Sequence, residues 1–206
     1  MRVLSIDIGI INLAFCIVDF NLEEHTFELI HSEKVCIGNM KDTCHKLSTS
    51  LIDFFDESEI VNEKPLDYVF IENQISRAIK NTILGYSAIS YFYAKSLNCE
   101  HNMHVHFVSP RDKFKSIESY FPGILENYDI NSQTAKSADL KKLSIHIATD
   151  LCNDLQIEKG LEALKNYKKK DDISDVLLQS FAFGIEKYRN NSTRASGNPL
   201  RAKRRR

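Results

Sequence analysis

Asp7 closes the apolar run Val3-Leu4-Ser5-Ile6, and Glu72 closes a second run, Tyr68-Val69-Phe70-Ile71. Asp172 and Asp175 follow near the C-terminal end, three residues apart. A carboxylate ending an apolar strand stands at the rim of a sheet, where α/β folds bind their ligands. Two acids at i and i+3 share one face of a helix. Four converging carboxylates repel one another unless a divalent cation neutralises them. Such a set is what hydrolysis of a phosphodiester by metal ions requires. Each acid also has a plain structural use. Asp7 with Gly9 fits an ordinary β-turn, and Glu72 fits the mere end of a strand. Aspartate is also a favoured helix N-cap whose charge suits the helix dipole. The capping use is assigned to Asp171, which leaves Asp172 and Asp175 to face the sheet edge.

The elements that must carry these acids follow from apolar periodicity. Residues 2–8 and 13–20 read as strands around a tight turn at 8–12, and a third strand falls near 27–36, giving an antiparallel start. Leu47, Leu51, Phe54 and Phe55 predict a helix over 39–57. Pro65 breaks the chain before a buried strand at 66–71. A long helix over 76–97 carries Ile79, Ile83, Tyr86, Ile89 and Tyr93 on one stripe, and a short strand at 104–109 stops at Pro110. Residues 111–136 read as loops with short helical pieces. Helices are predicted at 138–155, from Leu140, Leu143, Ile147 and Leu151, at 158–166, and at 172–188, from Val176, Leu177, Phe181 and Ile185. The result is an α/β domain over 1–188, a mixed five-stranded sheet flanked by helices. Residues 189–206 form a basic tail with no apolar periodicity, expected to be disordered.

Composition narrows the classes. The 206 residues are 43% hydrophobic and 10% aromatic, enough for one core. No apolar run of about 18 residues exists, so no membrane span is expected. Met1-Arg2-Val3 leads straight into a strand pattern, without the plan of a signal peptide. Five cysteines with no CxxC spacing read as reduced thiols of an intracellular protein. The net charge of −1 hides an asymmetry: seven basic residues and no acid lie from Arg189 on, so the first 188 residues carry −8. A globally basic body is therefore excluded, and local lysines with the tail must supply any phosphate contacts. His101, His104 and His106 have no second ligand pair at zinc spacing and read as strand alternation. The aromatic group Tyr86, Tyr91, Phe92 and Tyr93 reads mostly as core.

Four motifs occur in order: Ser5-Ile6-Asp7-Ile8-Gly9-Ile10-Ile11-Asn12-Leu13-Ala14, then Ile71-Glu72-Asn73-Gln74, then Phe107-Val108-Ser109-Pro110 with Lys113-Phe114, and last Lys169-Lys170-Asp171-Asp172-Ile173-Ser174-Asp175. Over about residues 1–188 this order resembles the RNase H-like superfamily. Within it, the order resembles the RuvC-type Holliday junction resolvases, above all those of poxviruses and related large DNA viruses. The resemblance implies an RNase H-like fold and a structure-selective endonuclease that resolves four-way and branched DNA by paired symmetric nicks. It implies a homodimer and two Mg²⁺ ions per site, with Mn²⁺ able to substitute. Asp7, Glu72, Asp172 and Asp175 match the metal-binding acids by position. The viral enzymes also use a lysine between the glutamate and the final pair. Lys142 is the first choice for it, Lys141 its neighbour, and Lys136 or Lys113 the alternatives. Asn73 stands where a second acid is common in related sequences. Gln74 and Arg77 lie where they could contact a phosphate. A viral origin favours the host cytoplasm over the nucleus.

Three rivals remain. An RNase H acting on RNA–DNA hybrids shares the superfamily. An actin-like or sugar-kinase-like ATPase also opens on a DxG turn, but only one such turn occurs among the seven glycines. An inactive DNA-binding relative would be expected to have lost one or more of the four acids.

Overall fold

A computed structural model describes residues 1–21, 26–74, 78–98, 100–121, 124–125, 128 and 136–195, of which 120, 137 and 187–195 are described by backbone alone. Three strands come first: β1 (Arg2–Asp7), β2 (Leu13–Asn21) and β3 (Thr26–Val35). Helices α1 (Cys44–Glu57) and α2 (Glu59–Asn62) lead to β4 (Tyr68–Glu72). Helix α3 (Ile79–Leu97), strand β5 (His104–Val108) and helix α4 (Asp112–Tyr120) follow. The chain closes with α5 (Ser137–Asp154), α6 (Glu158–Asn166) and α7 (Asp171–Ala195). The sheet order is β3-β2-β1-β4-β5. β1 and β3 run antiparallel to β2, whereas β4 is parallel to β1 and β5 parallel to β4. The predicted mixed sheet with an antiparallel start is thus the observed one.

Strand alternation sends the two faces to two cores. Leu4, Ile6, Val69 and Ile71 pack on α1 and α3 with Leu47, Leu51, Phe55, Leu84 and Phe92. Val3, Tyr68 and Phe70 pack on the other face with Leu143, Ile147, Val176, Leu177 and Phe181 of α5 and α7. Helix α7 is buried nearly all round over residues 171–184, with Ile173, Val176, Leu177, Leu178, Phe181 and Ala182 all at 0% exposure. That pattern suits a helix sandwiched between a sheet and other helices.

Three expectations change. The stripe Ile79, Ile83, Tyr86 and Tyr93 faces solvent, while Leu84, Gly85, Ala88 and Phe92 form the buried side of α3. The small Gly85 and Ala88 let α3 lie close to the sheet, where Gly85 faces the Phe107 ring. Residues 111–136 contain a nine-residue helix, α4, whose Phe114 and Ile117 are buried. Helix α7 runs on to Ala195, so the first residues of the expected tail are helical. Residues 196–206 lie outside the described part. Among the described residues no helix is long and apolar enough to cross a membrane.

Candidate active site

Register places Asp7 beside Glu72. β1 and β4 are parallel with Ile6 opposite Ile71, so the next residue on each strand is an acid. Both acids follow the alternation of Val3, Ser5, Phe70 and Tyr68 onto the α7 face. The turn after Asp7 requires glycine: a Cβ on Gly9 would lie 2.5 Å from the Asn12 carbonyl oxygen. Gln74 folds back from the end of β4, and its Nε2 donates to Asp7 Oδ1 at 3.2 Å.

Helix α7 brings the second pair of acids. Its rotation is set by Gln179, a buried amide whose Nε2 donates to the Phe70 carbonyl at 3.1 Å and the Ile6 carbonyl at 3.5 Å. Gln179 therefore pins α7 across the β1–β4 seam, one turn after Asp175, and aims Asp175 at the ends of those strands.

The centre of the cluster is Lys113 on α4. Its ammonium lies 2.7 Å from Asp175 Oδ1 and 3.3 Å from Glu72 Oε2, and the side chain is only 3% exposed. It also sits 5.6 Å from the Phe114 ring centroid. Burial alone would lower its pKa, but Asp175 and Glu72 outweigh burial and raise it, so the group remains an ammonium. Asp7 is driven well above the usual carboxylate range by burial and by the charges of Glu72 and Asp175. Glu72 is raised as well, by burial and Asp175, despite Lys113. One ammonium thus faces three carboxylates, and negative charge is left over.

Asp172 stands slightly apart. Its Oδ1 accepts from Lys169 Nζ at 3.4 Å, Lys34 Nζ lies 3.6 Å from its Oδ2, and Oδ2 is buried without a hydrogen bond. Asp171 is a first-turn residue of α7 and not its cap, because the first helical bond runs from Ser174 N to the Lys170 carbonyl. Its carboxylate accepts from Lys141 Nζ at 2.5 Å. Burial would raise the Asp171 pKa, but the Lys141 bond and charge outweigh it and lower it.

The structure therefore gathers Asp7, Glu72 and Asp175, with Asp172 alongside, and does not bring Lys142 to them. The buried side of α5 is set by Leu143, Ile147 and Leu151, which turns Lys142 out to solvent. Lys141 reaches Asp171 instead, Lys136 is exposed before α5, and Lys113 holds the central place. Sequence reasoning underrated Lys113 and missed Lys34 and Gln179. A lysine beside buried Phe114 and next to the Pro110 turn was the available signal. Asn73 is exposed, and Arg77 lies outside the described residues. His104 and His106 stack along β5, His104 on Tyr68 and His106 on Phe70.

Oxygen donors of this kind fit a hard divalent cation. The surplus charge and the unbonded Oδ2 of Asp172 favour one as well. As the side chains stand, no three His, Cys, Asp or Glu among the described residues are close enough to chelate an ion. Lys113 occupies the middle of the cluster.

No family model matches the chain, and no curated protein matches it by sequence. Solved structures do. The fowlpox virus Holliday junction resolvase superposes with a TM-score of 0.59 at 20% identity, covering 90% of this chain and 99% of that one. Thermus thermophilus RuvC, solved in complex with a Holliday junction substrate, gives 0.57 at 12% identity over 90% and 96%. The yeast mitochondrial Holliday junction resolvase Ydc2 gives 0.61 at 18% over 93% and 83%. The fold of this chain, with its strand order and its carboxylate-lined sheet rim, is the RuvC-like fold of the RNase H-like class.

Proposed function

We propose that the protein is a metal-dependent endodeoxyribonuclease that resolves four-way and branched DNA junctions by paired symmetric nicks. The observation that carries this is the buried Lys113 ammonium between Glu72 and Asp175, beside Asp7, on a fold shared with Holliday junction resolvases. Asp7, Glu72, Asp172 and Asp175 would hold two Mg²⁺ ions, or Mn²⁺ in their place, which supply water activation and charge neutralisation at phosphorus.

The chain's own residues do the rest. Lys113 is protonated and so cannot serve as a general base. It holds the β4 and α7 carboxylates together and presents positive charge where a phosphate gains negative charge. Gln74 fixes one oxygen of Asp7 by a hydrogen bond to Oδ1. Lys141 and Lys169 are half-exposed at the rim, within reach of a DNA backbone.

Paired nicks need two sites, which a two-fold dimer supplies. The surface for it is the outer face of α3. Ile79, Ile83, Tyr86, Tyr93 and Leu97 recur there at helical spacing, with Leu97 70% exposed. An apolar stripe of that length, broken only by Ser90, fits an interaction face.

The test uses purified protein, a labelled four-way junction, linear duplex and an RNA–DNA hybrid, with Mg²⁺ or Mn²⁺. Symmetric nicks on the junction alone, lost in Asp7→Asn and Asp175→Asn while junction binding persists, are expected. Cleavage of the hybrid in preference to the junction would move the activity to an RNase H. Binding without cleavage in both metals would make the chain an inactive relative.

A further inference from the structure

We propose that Lys34 is a positioning residue of this site, which sets the first turn of α7 and through it the placement of Asp172; the proposal rests on the function argued above. Lys34 lies near the end of β3, the edge strand of the sheet. Its backbone N–H does not meet another strand but donates to the Tyr167 hydroxyl at 3.2 Å. Its ammonium donates to the Lys169 carbonyl at 3.4 Å and lies 5.5 Å from the Tyr167 ring centroid. The same ammonium is 3.6 Å from Asp172 Oδ2, with the side chain 15% exposed. One residue thus ties Tyr167 and Lys169 of the link before α7 to the sheet and faces Asp172 just beyond it.

The distances define the kind of help. At 3.6 Å the ammonium is too far for a directed hydrogen bond. It balances the charge of Asp172 without claiming the lone pairs of Oδ2, which stay available to a ligand. Lys169, the other cation on Asp172, is 51% exposed and belongs to the link that Lys34 secures. Without the Lys34 ammonium the carboxylate keeps its partner only on a segment held at Tyr167, by the backbone N–H, and loose at Lys169. The first turn of α7, ahead of the Asp175 and Gln179 anchors, then keeps the Lys141–Asp171 pair as its tie.

The experiment compares full-length wild type, Lys34→Met and Lys34→Arg by two readouts: amide hydrogen exchange, and single-turnover cleavage of a four-way junction across DNA concentrations. Lys34→Met is expected to lose about tenfold protection at 173–176 while β1 and α5 keep theirs. Its rate at saturating DNA falls about tenfold to a hundredfold, with half-saturation changed by less than about threefold. Lys34→Arg, which can span the same contacts, recovers both. Weaker DNA binding with an unchanged saturated rate would overturn the proposal in favour of a phosphate contact. Uniform loss of protection, or no loss at 173–176, would also overturn it. If the wild type cuts no junction, the function falls separately and the exchange pattern still decides the role of Lys34.

Discussion

Replacing Lys113 by methionine keeps the stem and removes the charge, and its consequences depend on pH in a defined way. In the wild type the ammonium makes two ion pairs with a side chain that is 3% exposed. Breaking a buried pair by removing one partner typically costs about 3–5 kcal/mol. Asp7 and Glu72 already sit above their ordinary carboxylate range. An acid whose folded pKa is raised contributes stability that is fully present below about pH 4 and lost as the pH rises through the folded value. Lys113→Met pushes these values higher still. The penalty is therefore larger at pH 8 than at pH 5, because Asp7 and Glu72 lose protons as the pH rises through their raised values. For a chain of this length about 3–5 kcal/mol corresponds to a fall in Tm of about 6–20 °C. Thermal unfolding in chelator at pH 5 and pH 8 measures the difference, and Mg²⁺ added at pH 8 should restore part of the loss. An equal drop at both pH values would refute the electrostatic account and leave Lys113 as packing. Junction cleavage in Lys113→Met should fall by about a hundredfold or more, the scale for losing one charge-stabilising donor.

Further outcomes follow from the same geometry. Lys142→Met should cut junctions within about threefold of wild type, because its exposed position keeps it from the reacting centre and costs at most a surface phosphate contact. Gly9→Ala meets backbone atoms of Asn12 at 2.5 and 2.9 Å, so chemical denaturation should show a loss of about 1–3 kcal/mol. Paired Tyr93→Lys and Leu97→Lys substitutions should convert a dimer to monomer in sedimentation, at about 2 kcal/mol per residue, with unchanged circular dichroism. At pH 8 a thiol reagent should label exposed Cys36 at once, and Cys16 and Cys152 only after denaturation. Burial pushes both of those thiols up to about 12 and closes them to solvent. Rapid native labelling of Cys16 would contradict its burial on β2 against Val176 and Ser180 of α7.

The strands and their acids were legible because a period of two leaves little choice. A run such as Val69-Phe70-Ile71 must be buried on both faces, and the charge that follows must mark its end. The pairing of Asp7 with Glu72 needed only the parallel register of β1 and β4. Helix faces were less legible. The stripe Ile79, Ile83, Tyr86 and Tyr93 has the spacing of a core face, yet the core chose Leu84, Gly85, Ala88 and Phe92. Small residues let the helix axis approach the sheet, and apolar periodicity does not count them. The lysine was least legible because its burial depends on α4 docking against α7, a contact between segments far apart in the chain.

The placement of Lys113 also explains why the site holds together without being neutral. A hydrophobic residue there would leave Glu72 and Asp175 facing each other in a buried rim. A second cation would cancel most of the remaining charge and weaken the cluster's attraction for anything positive. One ammonium against three carboxylates lies between these limits. It lets β4 and α7 converge, and it leaves Asp7 raised by burial and by neighbouring charges that Lys113 only partly offsets. Asp172 adds a fourth charge, balanced at longer range by Lys34 and Lys169. The lysines thus make assembly of the acids possible, and the charge they leave uncompensated is the attraction that a divalent cation would answer.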